Sequence, residues 1–349
     1  MMKGRAKEMK KYLLLVVGLA ILLTPILVAG CAAPTPELGS AERPVKLMFV
    51  PSVDVAVIEK SGQAMADWIT EKTGIHFDVS VPVSYAATIE AMCAAEGDSM
   101  AFIPGLGYVL AHDKCDVQVA LATIRYGRTA YWTEFVALRD SGITSLEDLE
   151  GKKWAVPSVT STSGYLWPSV LLGLKGITPG ETVEAGGHPQ AVLAVLDGTA
   201  DFATCFFSPY GDAVEDWSEG DPPEPGGEFT IEEKDDGTYN VWQGGLTIRD
   251  ARVAAMATNP RAVEDVAIIA LSERIPNDTV SFVADFPAEM RDTIAQALID
   301  YAATEEGNAV LANADFYDIT GFGRVDDSYY DPVRNAINVL GWTEEDILE

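Results

Sequence analysis

Basic residues are scarce in this chain. Only 24 Lys and Arg stand against 53 Asp and Glu in 349 residues, a formal net charge of −29, and histidine occurs three times. That deficit argues against a nucleic-acid partner, because too few cations are available to neutralise phosphates. It also argues against adhesion to anionic headgroups through a basic face. Cysteine is short as well. Four cysteines are too few for a disulfide-built scaffold, and no Cys/Cys or His/Cys pair has zinc spacing, so neither a metal site nor a cofactor is expected. What remains is a globular composition, 48% hydrophobic and 22% charged, which rules out a disordered or collagen-like chain. The length suits two domains of ordinary size.

One long hydrophobic run is present. Lys3, Arg5, Lys7, Lys10 and Lys11 precede a nearly unbroken apolar stretch from Tyr12 to Ala29, which Pro25 interrupts and which ends at Val28-Ala29-Gly30-Cys31. A charged start, an apolar middle and a small-residue end have the shape of a secretory signal over residues 1–30. Small residues before a cysteine resemble the bacterial lipobox. That resemblance implies an exported lipoprotein, lipidated at Cys31 and tethered to the outer face of the cytoplasmic membrane, at the cell surface or in the periplasm. A membrane-spanning anchor is the alternative, since a run of this length can just cross a bilayer. The cysteine after Ala-Gly and the loose, polar Ala32–Arg43 favour the lipoprotein, with residues 31–43 as linker. Removing residues 1–30 deletes five basic residues and Glu8, which takes the net charge from −29 to −33.

Along the rest of the chain, strand patterns alternate with helix patterns. Lys46–Pro51 reads as a strand, Val55–Lys72 as a helix closed by Thr73-Gly74, His76–Pro82 as a strand and Tyr85–Ala95 as a short helix. Met100–Ile103 and Val117–Ile124 follow as strands. A second series begins near Tyr131. There Trp132–Leu138, Lys153–Pro157, Thr182–Gly186 and Asp201–Phe207 read as strands, and Ser145–Gly151, Gly164–Leu174 and Pro189–Leu196 as helices. Pro287–Ala303 and Val333–Leu340 complete the helices. Such alternation implies parallel βαβ units, hence an α/β fold of two halves, each smaller than a full enzyme domain.

The segment from Gly211 to about Arg252 breaks the alternation. Residues 211–240 hold eleven acids and one base, Lys234. Glu228–Glu233 and Thr238–Trp242 read as hairpin strands around the tight-turn pair Asp236-Gly237. No calcium-loop spacing is present, so a solvated surface insertion is expected. Beyond Cys31 the cysteines are Cys93, Cys115 and Cys205. Their odd number permits one disulfide at most, with Cys93–Cys115 the nearest pair; their buried-type surroundings favour free thiols.

The residues able to do chemistry are few. Ser161-Thr162-Ser163-Gly164 stands between a strand and a helix, where three hydroxyls and the free N–H groups of a helix start form an anion site without added charge. Plain helix capping is the competing role. His188 follows Gly186-Gly187 at another strand-to-helix turn, which makes it either a capping residue or an N–H donor to an oxyanion. Ile275-Pro-Asn-Asp278 is a turn signal.

These segments carry a resemblance. Thr160-Ser-Thr-Ser-Gly-Tyr-Leu-Trp-Pro168 and Ala185-Gly-Gly-His188, the latter followed by Ala191-Val-Leu-Ala-Val-Leu-Asp-Gly-Thr-Ala-Asp201, are similar to the phosphonate/phosphite/phosphate-binding proteins of ABC importers. So are Val83-Ser-Tyr85 before Ile89-Glu-Ala-Met92, Tyr131-Trp132, Ile275–Asp278, and Asp326-Asp-Ser-Tyr-Tyr-Asp-Pro-Val-Arg334. The resemblance implies a two-lobed type II periplasmic-binding-protein fold that closes on its ligand about two crossing strands. Residues 44–133 and 280–349 would form lobe 1 and residues 134–279 lobe 2, with the hinge near Trp132–Phe135 and Asp278–Phe282. It implies that Ser161, Thr162, Ser163 and His188 donate to the oxyanion, that Tyr85 and Tyr131 add phenolic hydrogen bonds, and that Asp278 lies in the pocket. An acid beside an anion repels it unless the ligand presents a donor. Relatives that hold an aminoalkylphosphonate place another acid after the strand matching Asp201–Phe207, where this chain has Cys205-Phe-Phe-Ser208. A small oxyanion or alkylphosphonate is therefore expected over an amino-bearing ligand.

The implied partners are the transmembrane subunits of an ABC permease and the membrane through the lipid anchor, and the protein is expected to be a monomer. A type II binder for sulfonate, nitrate or a thiamine precursor is the alternative, as is a module that presents ligand to a membrane sensor. A phosphoester hydrolase is disfavoured, since no nucleophile elbow, metal cluster or supported Ser-His-Asp order is visible. No catalytic residue is assigned.

Overall fold

The computed structural model describes residues 35–208, 221–235, 237–313 and 316–343. The expected signal sequence, Cys31, Asp236 and the first part of the acidic insertion lie outside the described residues. Leu38–Glu349 cluster as one unit apart from Met1–Glu37, and the elements below belong to it. In chain order they are β1 (Val45–Phe49), α1 (Val55–Thr73), β2 (Phe77–Ser80), α2 (Tyr85–Cys93), β3 (Ser99–Ile103), α3 (Gly105–Cys115), β4 (Gln118–Ile124) and β5 (Ala130–Leu138). Then come β6 (Trp154–Val156), α4 (Trp167–Lys175), β7 (Thr182–Glu184), α5 (His188–Leu196), β8 (Phe202–Phe207), β9 (Phe229–Glu233), β10 (Tyr239–Gln243) and β11 (Leu246–Thr247). The chain continues through α6 (Ala251–Ala255), α7 (Ala262–Asp265), β12 (Val266–Leu271), β13 (Ile275–Pro276), β14 (Thr279–Phe282), α8 (Ala288–Ala302), α9 (Glu305–Leu311), β15 (Gly321–Arg324) and α10 (Asp331–Leu340).

Two six-stranded sheets organise these elements. The first runs β15-β4-β14-β3-β1-β2, and the second runs β12-β5-β8-β6-β7 with β13 paired to β5. Each has a parallel βαβ part, β2-β1-β3 and β7-β6-β8. Each also contains a strand that runs antiparallel to this part: β14 lies between β3 and β4, and β5 lies beside β8. Their cores are separate. Phe49 and Phe102 stack at 4.8 Å in the first, and Trp154 and Phe202 at 5.8 Å in the second. Burying a ring of that size contributes about 1.5–3 kcal/mol.

The chain passes between the sheets twice, through residues 125–129 and 277–278, where β13 pairs with Tyr131 and Ala130 at the start of β5. Asn277 is fully buried and stitches the passage: its Nδ2 donates to the carbonyls of Thr123 (2.8 Å) and Arg128 (2.9 Å). This corrects the expected hinge position. Trp132–Phe135 is already inside the second sheet, opposite Phe207–Thr204, and Thr279–Phe282 is inside the first.

Helix α3 has no counterpart in the sequence reading. Gly105 through Ala111 are all buried, so the helix lacks the polar face that would give it a 3.6-residue period, and its two glycines lower its propensity. Its presence brings Cys115, at its C-terminus, beside Cys93 at the end of α2. The two form a disulfide with Cα atoms 5.4 Å apart, contrary to the expectation of free thiols; among the described residues Cys205 is the free cysteine, and it is buried.

The acidic insertion forms the expected hairpin, β9 and β10 in antiparallel register with β11 as a third strand. It is not wholly solvated. Glu224 accepts from both Arg139 Nη1 (2.8 Å) and Nη2 (3.0 Å) and also pairs with the fully buried Arg252. Arg252 in turn holds Asp250 through Nη2 at 2.8 Å. Burial opposes the charge of Glu224, yet Arg252 and Arg139 keep its pKa below the ordinary value. The insertion is therefore anchored by carboxylates that composition alone assigns to solvent.

Candidate ligand-binding site

Parallel strands deliver their carboxyl ends to one edge, and ligands of open α/β sheets sit there. Here the two edges face each other across a cavity of about 40 Å³. A water needs at least ~10–15 Å³ on this scale, so the space suits a cluster of a few heavy atoms such as a tetrahedral oxyanion. From the first sheet come Val50, Ser52 and Val53 after β1, Arg125 after β4, and Phe316, Tyr317 and Asp318 before β15. From the second come Ser161 and Ser163 after β6, His188 after β7, and Phe206 and Ser208 at the end of β8. Tyr85, Tyr131 and Asp278 complete the polar wall.

The serine run is shaped by a π-turn, Thr162–Leu166, in which the Ser161 carbonyl accepts from Tyr165 N–H (3.0 Å) and Leu166 N–H (3.1 Å). Such turns concentrate at functional sites. Ser161 Oγ accepts from Gly164 N–H at 3.1 Å, which leaves its own O–H to donate. Thr162 is placed differently from its neighbours and does not line the cavity. Its Oγ1 accepts the Leu106 N–H at 2.8 Å, capping α3, whose N-terminal residue Pro104 offers no side-chain cap. That bond and His188 N–H to the Ser52 carbonyl (3.2 Å) both cross the cleft. The cleft is closed.

His188 has a fixed tautomer. Nδ1 accepts the Phe206 N–H at 3.2 Å, so the ring proton must sit on Nε2 when the imidazole is neutral. Burial, and then the Arg125 charge, pull its pKa down to about 3; it is a neutral donor at physiological pH. The phenols of Tyr85 and Tyr131 are pushed up, chiefly by burial, and stay protonated. The cavity thus presents hydroxyl and imidazole N–H donors that carry no charge of their own.

Arg125 is the charged cavity residue that sequence reasoning missed most plainly. Its Nη2 donates to Asp278 Oδ2 at 2.5 Å, its Nε donates to the Tyr317 carbonyl at 2.8 Å, and its guanidinium lies 5.2 Å from the Tyr131 ring centroid. Burial works against its charge, while Asp278 and Tyr131 hold its pKa above the ordinary value. The repulsion expected between Asp278 and an anion is therefore offset inside the protein. A lone Arg directly after the apolar strand ending at Ile124 was the available signal. Ser52 had a similar one, a hydroxyl following Pro51 at the end of β1. Cys31 lies outside the described residues. Among the described residues no group of three or more His, Cys, Asp or Glu is placed to hold a metal ion.

His188 and Glu134 push stability in opposite directions with pH. The unfolded histidine takes a proton below about pH 6.5, the folded one only near 3. Between those values, falling pH costs ~1.4 kcal/mol per unit. Glu134, fully buried on β5, has its pKa pushed well above the ordinary value by burial and then by the Asp250 charge, against Arg252. Its unfolded form ionises above its ordinary 4.5, so this residue costs stability as pH rises. The two slopes therefore oppose each other above about pH 4.5. Urea unfolding of Glu134→Gln should therefore reveal a loss of ~1–3 kcal/mol from pH 6.5 to 4.5, and Glu134→Gln/His188→Gln should abolish it. A flat profile in Glu134→Gln would mean that folded His188 is protonated.

Two α/β lobes, two crossing strands and a donor-lined cavity between facing strand ends define a type II periplasmic solute-binding protein. The profile of the family described as ABC transporter, phosphonate, periplasmic substrate-binding protein matches residues 47–330. The chain belongs to that family. Among curated proteins it is 25% identical over 199 residues to the phosphate-import protein PhnD of Mycolicibacterium smegmatis, an alignment over 52% of this chain and 62% of that protein. It thus spans less than two thirds of that relative's length. Among solved structures it is similar to PhnD1 of Prochlorococcus marinus in complex with methylphosphonate, with TM-score 0.64, 13% identity, and coverage of 88% of this chain and 99% of that one. The binding component of a Pseudomonas aeruginosa ABC phosphonate transporter gives TM-score 0.62 and 19% identity over 84% of this chain and 85% of that one.

Proposed function

We propose that this protein is an extracytoplasmic lipoprotein that captures a small phosphorus oxyanion (phosphate, phosphite or an alkylphosphonate) between its lobes and delivers it to an ABC permease. The observation that carries this reading is the convergence of Ser161, Ser163, His188, Tyr85 and Tyr131 on one small closed cavity. Each donor to a charged ligand contributes about 1.5–3 kcal/mol. Four or five gross more than the roughly 8 kcal/mol of micromolar binding, and part of that surplus is consumed by closure and immobilisation. The lobe boundaries follow the two crossings: lobe 1 comprises residues 44–124 and 279–349, and lobe 2 comprises residues 130–276. Lipidation of Cys31 holds the protein at the membrane as a monomer, and the protein does no catalysis.

Apolar Val50, Val53, Pro104, Phe206 and Phe316 form the remaining wall, which suits an alkyl substituent or none. Asp278 is engaged by Arg125 and is a poor partner for a ligand ammonium. Calorimetric titration of the purified protein with phosphate, phosphite, methylphosphonate, 2-aminoethylphosphonate and sulfate tests the reading. One phosphorus oxyanion should bind tightly, with 2-aminoethylphosphonate weaker than its alkyl counterparts. Ser161→Ala and His188→Ala should each weaken that binding at least about tenfold, ~1.4 kcal/mol. Unchanged affinity in both variants would sink the pocket assignment, and silence across the panel would redirect the search to sulfonates, nitrate and heterocycles.

A further inference from the structure

The acidic insertion is rooted in the cavity wall. Ser208, which leads from β8 toward the insertion, lines the cavity, and its N–H donates to the Arg249 carbonyl at 3.0 Å where the insertion returns. Phe207 and Asp250 pair beside that bond. From this root on the second lobe, the Arg249 guanidinium reaches the first crossing and lies 3.7 Å from the ring centroid of Tyr126. Tyr126, just past β4, donates its hydroxyl to Asp318, which also lines the cavity.

Two features set this contact apart from ordinary surface packing. Tyr126 and Asp318 both have left-handed backbones, φ 51° and 54°. Non-glycine residues rarely adopt that conformation, and such strain gathers at ligand clamps and switches. Arg249 Nη1 is buried with no hydrogen-bond partner among the described residues, and the guanidinium lies over the ring face. Attraction of a cation to an aromatic face grows as water is removed from it. Opening the lobes would separate Arg249 from Tyr126 and rehydrate both.

We propose that Arg249 is a positioning residue that clamps the cleft shut through Tyr126 and Asp318, and so sets how long a bound ligand stays. The inference rests on the ligand-binding reading above. Because Asp318 ties Tyr126 to the first lobe while Arg249 belongs to the second, loss of the contact should act on dissociation and not on encounter. It also gives the insertion a role: whatever moves the arm's root loosens the clamp.

Stopped-flow fluorescence with methylphosphonate on the purified protein is the test. Arg249→Ala should raise koff about tenfold with kon within about twofold. Arg249→Lys, which lacks the planar guanidinium, should fall between. Combining Arg249→Ala with Tyr126→Ala should be no worse than Tyr126→Ala alone, because the two residues act as one unit. An unchanged koff in Arg249→Ala, or fully additive losses, would overturn the clamp. Closure is also read without ligand, from the distance between spin labels at Lys60→Cys and Asp140→Cys, one on each lobe. The otherwise unaltered protein should show a short-distance population that Arg249→Ala depletes; identical distributions would overturn the proposal. If methylphosphonate does not bind at all, the cargo assignment fails and the label distances still decide the clamp.

Discussion

Arg125→Gln is expected to lower ligand affinity by about a thousandfold and stability by about 3–5 kcal/mol. The stability figure is that of a buried ion pair broken from one side, which leaves Asp278 charged and unpaired. The affinity figure follows from what the anion then meets. With Arg125 gone, a carboxylate about 4 Å away at an effective dielectric near 20 opposes the ligand by ~4 kcal/mol, which is roughly a thousandfold. Arg125→Gln/Asp278→Asn should recover most of the stability, because neither charge is stranded, and part of the affinity, because the uncharged donors remain. Asp278→Asn alone should keep or improve binding, since it frees the guanidinium for the ligand. Urea titration and calorimetry on the three variants check this. Tight binding by Arg125→Gln with loss of binding in Asp278→Asn would mean instead that the ligand donates to Asp278.

The two α/β halves were legible in the sequence because their helices are amphipathic and their strands short and bounded by turn residues. Helix α1 illustrates it: Asp54 caps its N-terminus, accepting the Val57 N–H at 3.1 Å, and Gly74 closes it at φ 76°. Helix α3 was not legible because its periodicity is erased by burial on every side and its cap, Thr162, is 56 residues away in sequence. The disulfide was lost with it, since only α3 carries Cys115 to Cys93. The site divides along the same line. Ser161, Ser163 and His188 sit at strand-to-helix turns, where local sequence announces an anion site. Arg125, Tyr317 and Asp318 enter the cavity from loops whose meeting is decided by sheet order, which places β15 beside β4. Local pattern carries no record of that neighbour.

Gly164→Ala should disable the site more thoroughly than removal of the Ser161 hydroxyl. A Cβ at this position would stand 2.2 Å from Pro157 Cγ and 2.4 Å from its Cδ, with Ser161 Oγ at 2.9 Å. Pro157 follows β6 directly, and its ring has no rotamer to yield, so the serine loop must move instead. Moving it breaks the Gly164 N–H bond to Ser161 Oγ and the bond from Thr204 Oγ1 to the Gly164 carbonyl (2.6 Å). Ser161 and Ser163 then lose their aim together, whereas Ser161→Ala removes one donor and leaves the frame. Losing two charge-assisted bonds predicts a fall in affinity of about a hundredfold or more, and overpacking predicts a stability loss of about 1–3 kcal/mol. The decisive comparison is the order of affinities at a temperature where all variants are folded. Gly164→Ala weaker than Ser161→Ala shows that the loop's conformation, set by the close approach of a glycine to a proline, holds the ligand. The reverse order would assign the binding energy to the Ser161 hydroxyl itself.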